Sequence, residues 1–135
     1  MKTFALLLAL LPVSASSAGF AFSAVNRFPV AEIGNATFEV IARGGRVGAR
    51  DYWCAAGDYG ISLGIPSSRR MYLVAAEGLS QASPGGKAVR FTFDPDAAGV
   101  TPIQPQVSLS VKVPGDNMTL AAARQFCIGT GLFFF

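Results

Sequence analysis

Histidine occurs nowhere in the 135 residues. Its absence removes Ser-His-Asp and Cys-His nucleophile systems, histidine-based zinc and copper sites, and histidine acid–base work near neutral pH. Cysteine is nearly as scarce, with Cys54 and Cys127 alone. Neither a Cys-x-x-Cys redox motif nor a complete thiolate zinc site can be built from them. Charge is sparse as well: 14% of residues are charged and the formal net charge is +3. The positive residues, mostly arginine, are scattered as Arg27, Arg43, Arg46, Arg50, Arg69, Arg70, Arg90 and Arg124. With no block of like charge there is no electrostatic case for nucleic acid. Phosphate-cradling glycine motifs are also missing. These absences predict no metal site, no cofactor and no catalytic constellation built on histidine.

What is present begins with an export signal. Lys2 forms a positive start, Phe4 to Leu11 a short apolar run, Pro12 breaks it, and Ser16-Ser17-Ala18 offers a cleavage site after Ala18. The run is shorter than the roughly 20 residues a bilayer-spanning helix needs, and no later segment approaches that length. Residues 1–18 are therefore read as a signal peptide, with no transmembrane anchor once it is cleaved. Residues 19–135 are read as one small domain ending in a hydrophobic tail. The expected location is periplasmic or secreted. There, an isolated cysteine pair is most simply a structural disulfide between Cys54 and Cys127, worth roughly 4 kcal/mol by chain entropy for so long a loop.

Residues 19–34 carry no clear pattern, and Pro29 limits any strand there to an edge. Ala36 to Arg43 alternates, with Phe38, Val40 and Ala42 on one face and Thr37, Glu39 and Arg43 on the other, and predicts a first strand. Asp51 reads as the N-cap of a short helix over Tyr52 to Asp58. Arg69 to Ala76, apolar on both faces at its centre, predicts a central strand. Ala88 to Asp94 and Gln106 to Val113 each alternate cleanly and predict two more, the latter with Val107, Leu109, Val111 and Val113 inward. Thr119 caps a last helix, Leu120 to Phe126, on which Leu120, Ala123 and Cys127 share a face. The predicted fold is α+β: a mainly antiparallel four-stranded sheet in the order β-α-β-β-β-α, with two short helices on one face tied by the disulfide.

Two stretches stand out, Tyr52-Trp-Cys-Ala-Ala-Gly-Asp-Tyr59 and the closing Arg124-Gln-Phe-Cys127 after Val113-Pro-Gly-Asp116. With them the chain resembles a group of small exported bacterial proteins of uncharacterised function, over about residues 36 to 127. The resemblance implies a periplasmic or secreted protein and brings no activity, ligand or site residue with it.

The candidate chemistry is modest. Asp94-Pro-Asp96-Ala-Ala-Gly99 has the first carboxylates of a calcium loop, but Ala98 and Pro105 stand where later oxygen ligands belong, so it reads as a solvated turn. Asp51 and Asp58 lie two helical turns apart; Asp51 reads as a cap, and Asp58 as a carboxylate that needs Arg69, Arg70 or Arg124 beside it. Trp53, Tyr52 and Tyr59 read first as packing around the disulfide, with Tyr52 or Tyr59 the more exposed. Arg69, Arg70, Arg90 and Lys112 form a basic patch on the wet sheet face if strand pairing unites them; with Tyr52 and Tyr59 they make the candidate binding surface. Asn35 and Asn117 match N-glycosylation sequons, but turn and cap roles already account for them. The tail Phe133–Phe135 should pack on the domain or engage a partner.

The function expected is a non-catalytic binding or interaction module, its partner an envelope protein or an anionic envelope component. The alternatives are a small hydrolase or lyase using Asp51, Asp58, Asp94 or Asp96, and a purely structural envelope protein.

Overall fold

A computed structural model describes residues 22–128. Residues 1–18, expected to be a signal peptide, and the Phe133–Phe135 tail lie outside the described residues. The chain runs through β1 (Phe22–Ser23), β2 (Pro29–Gly34), β3 (Thr37–Ile41), α1 (Ala49–Ser62), β4 (Arg70–Leu79), β5 (Lys87–Thr92), α2 (Pro95–Ala98), β6 (Asn117–Thr119) and α3 (Leu120–Gln125). All strands join one antiparallel sheet in the order β1-β2-β3-β5-β4-β6. The α+β class and antiparallel sheet follow the pattern of the sequence, but there are six strands rather than four and three helices rather than two.

Apolar side chains at alternate strand positions (Val30, Phe38, Val40, Met71, Leu73, Val89, Phe91) form one face of the sheet. Against it pack Tyr52, Trp53, Ala55, Ala56 and Tyr59 of α1 and Leu120 and Ala123 of α3. Cys54 and Cys127 are bonded, with Cα atoms 4.9 Å apart. The close approach of α1 and α3 depends on two glycines. A Cβ on Gly57 would stand 2.8 Å from the Cβ of Ala123 and 3.0 Å from the backbone N of Arg124, and one on Gly60 would stand 2.8 Å from a Leu120 methyl. Glycine weakens a helix interior, so tertiary packing keeps α1 intact past Asp58 to Ser62. At its start, Gly48 is the N-cap, and the Asp51 carboxylate, inside the first turn, accepts the Gly48 N–H at 2.9 Å.

Three local expectations need correction. Pro29 does not confine its segment to an edge: it opens β2, opposite Ser23 of the two-residue β1, and β2 pairs with β3 on its other side. Glu39 does not face water. The β4–β5 hairpin curls over the outer face of the sheet and buries Glu39 completely, together with Ala31, Ile41 and Ala88.

Gln106 to Val113 is not a strand. Val107 is 105% exposed, and Leu109 and Val113 are exposed beside it. β6 pairs with β4 only over Arg70–Tyr72, and the Gly115 N–H and Asp116 carbonyl add bonds to Leu73. Beyond that point β4 shifts register twice against β5, between Leu73 and Ala75 and between Ala75 and Gly78. Such bulges twist a strand away from the line a neighbour would follow. The chain instead leaves the edge through Gly115, at φ 90°, and crosses the helical layer, where the Trp53 indole N–H donates to the Ser110 carbonyl at 2.8 Å.

Candidate functional site

Tyr52 and Tyr59 project from one face of α1, two turns apart. Both rings are buried, at 1% and 3% exposure, so neither is the exposed aromatic expected from the sequence. Their hydroxyls end on carboxylates at opposite flanks of the sheet. Tyr52 donates to Glu77 Oε2 on β4 at 2.6 Å, and Tyr59 donates to Glu32 Oε1 on β2 at 2.9 Å. Burial, reinforced by the accepting glutamate, pushes both phenols above the usual tyrosine range. They remain protonated donors, and each fastens the helix to the sheet.

Around these two contacts the surface opens. Beside Tyr59, a hollow of about 210 Å³ is lined by Glu32, Phe38, Leu63 and Phe93 among others. It is small for an organic ligand, and its aromatic walls pack on one another, the Phe38 and Phe93 ring centres lying 4.9 Å apart. Beside Tyr52 lies a larger cleft of about 440 Å³, walled by Val47, Ala49, Tyr52, Ala76 and Val111, with Glu77 and Lys112 at polar positions. Across Val47 and Glu77 it meets a second hollow of about 360 Å³ that reaches Gly44, Gly45 and Lys87. Lys87 Nζ stands 4.0 Å from Glu77 Oε1, both side chains well exposed, an ion pair that contributes little in water. The whole is an amphipathic trough between the start of α1 and the far half of β4, in the size range of ligand sites. It exists because the 107–113 segment does not extend the sheet. Val111 and Lys112 form its outer wall instead.

The basic residues singled out in the sequence do not form one patch. Arg90 lies on the outer sheet face, 3.6 Å from the buried Glu39 carboxylate. Arg70 opens β4, where its Nε donates to Asn117 Oδ1 at 2.7 Å, and exposed Arg69 precedes it. Lys112 is in the loop at the trough, not on a strand.

The aspartates are separated too. Asp51 caps α1. Asp58 accepts the Val25 N–H at 2.9 Å and pairs with Arg124 at 3.0 Å. Asp94 is the N-cap of α2, accepting from the Ala97 N–H, and Asp96 lies exposed in that short helix. Among the described residues no three His, Cys, Asp or Glu side chains converge on a point.

Glu32, Glu77, Val47 and Val111 escape notice in the sequence as members of any site. A glutamate near the end of a strand looks solvated unless its tyrosine partner, some 25 residues away, is known. Compared with protein families, with curated proteins and with solved structures, the chain has no match.

Proposed function

We propose that this protein is an exported, disulfide-stabilised, non-catalytic binding module of the periplasm or extracellular space. The trough lined by Val47, Tyr52, Ala76, Glu77, Val111 and Lys112 is its recognition site, for an envelope protein or another envelope component. One observation carries the reading: this hollow of about 440 Å³ has apolar walls and a few charged groups at its rim, the composition of a recognition surface. The Cys54–Cys127 bond supports an oxidising compartment. The hydrolase alternative is disfavoured because Asp51 and Asp58, two turns apart on α1, and Asp94 at the start of α2 are each engaged by a capping hydrogen bond or an ion pair, whereas paired-carboxylate catalysis needs two in one cleft.

The test is affinity capture from native envelope extract with the wild-type chain and with Ala76→Trp, an exposed position where a large ring would fill the trough. Retention of a specific partner by the wild type and its loss in the variant is the expected result. A partner held equally by both would move the interface elsewhere, and capture of nothing by either would favour a purely structural role.

A further inference from the structure

Between Gly99 and Gly115 the chain has no acidic residue. The neighbouring Asp116 is 4% exposed, and its carboxylate accepts the backbone N–H groups of Gln106 at 3.0 Å and Asn117 at 2.8 Å. The loop frame is held at several points. The Asn117 side-chain amide reaches the carbonyls of Ile103 and Gly115, both at 3.0 Å, and Trp53 holds the Ser110 carbonyl. On this frame the Val107 side chain is left wholly in water, and Leu109 and Val113 are partly exposed. Arg70 lines the same shallow hollow as Val107 and Leu109, and exposed Arg69 precedes it in the chain. Among the described residues no carboxylate forms an ion pair with Arg69 or Arg70.

We propose that this loop, with Arg69 and Arg70, is a membrane-surface contact that seats the domain on an anionic lipid bilayer. The inference rests on the exported reading above, since a bilayer surface is then within reach. It adds a second, separate contact to the trough. A fully exposed valine side chain protrudes from its loop, and a protein partner would need a matching hollow for it. The boundary between headgroups and acyl chains accepts apolar tips without one, and basic residues beside such tips are drawn to negatively charged lipid.

The experiment is co-sedimentation of the purified chain, its N-terminus defined by mass spectrometry, with vesicles of phosphatidylcholine alone or mixed with phosphatidylglycerol. Binding should require phosphatidylglycerol and weaken as salt is raised. Val107→Asp with Leu109→Asp should lower the partition coefficient about tenfold or more, and Arg69→Gln about threefold. Leu79→Asp, exposed at the other end of β4, should leave it unchanged. Equal binding to both vesicle types, no binding, or binding untouched by the aspartates would overturn the proposal. So would loop-dependent capture of a protein without vesicle binding. If vesicle binding fails while a partner sensitive to Ala76→Trp is still captured, the lipid contact falls and the binding module stands.

Discussion

Glu39 has no exposed surface, yet its carboxylate collects donors from three successive residues of the β4–β5 hairpin: the Ser80 hydroxyl at 2.5 Å, the Ala82 N–H at 2.7 Å and the Gln81 N–H at 3.2 Å. Burial by itself would raise its pKa. The three donors and the Arg90 guanidinium together outweigh that and hold it below the ordinary glutamate value. A carboxylate with a lowered folded-state pKa stabilises the fold above its unfolded pKa of about 4.3, and that stability is lost as pH falls through the folded value. Acid should therefore release the hairpin first, seen as early amide exchange at residues 80–86. Glu39→Gln, which sets an amide N–H₂ against N–H donors, should cost about 2 kcal/mol in denaturant unfolding and flatten the acid limb. The tyrosines act in the opposite sense. A raised folded-state pKa stabilises below the unfolded value of about 10 and is lost as pH rises past it. Tyr52→Phe and Tyr59→Phe should each cost about 1 kcal/mol, with Tyr52→Phe also freeing Glu77 in the trough. Neither Glu39 nor the tyrosine partners were legible in the sequence: alternation marks which side of a strand a residue lies on, but not whether a distant hairpin folds over that side.

At the scale of elements, α1 and α3 show how far local signals reach. The cap of α3 was readable, because Thr119 accepts the Ala122 N–H at 3.1 Å as its position before an alanine run implies. The end of α1 was not, because Gly60 looks like a stop signal unless the helix it contacts is known. Gly57→Ala gains helix propensity but drives a methyl into α3 backbone, so a net loss of about 1–3 kcal/mol is expected in thermal or denaturant unfolding. Gly60→Ala meets only movable side-chain ends of Leu120 and Phe93 and should cost less. The reverse order would mean that α3 does not sit where these contacts put it. The misread strand at 106–113 is the complementary case. Its alternation is genuine, but a strand also needs an edge to pair with, and the bulged far half of β4 turns that edge away.

For the molecule as a whole, the Cys54–Cys127 bond spans a sequence separation of 73 residues and joins the two helices that cover the sheet. Replacing both cysteines by alanine should lower stability by roughly 4 kcal/mol, a large share of the total for a domain of this size. A melting temperature unchanged by the double replacement would show that helix packing alone holds the layers together. The trough should be the more sensitive feature, since its walls come from α1, β4 and the crossing loop, and any loosening between layers widens it.

The sequence by itself determined the disulfide pairing, the α+β class, the helix at 120–125 and the absence of histidine chemistry. Each of these depends on composition or on contacts within a few residues, apart from the cysteine pair, for which only one pairing exists. Tertiary structure decided the burial of Glu39, the two tyrosine–glutamate contacts, the length of α1 and the departure of the 107–113 segment from the sheet. Every one of those follows from meetings between residues far apart in the chain, where packing and edge geometry override the local pattern, and the trough and the exposed loop are their product.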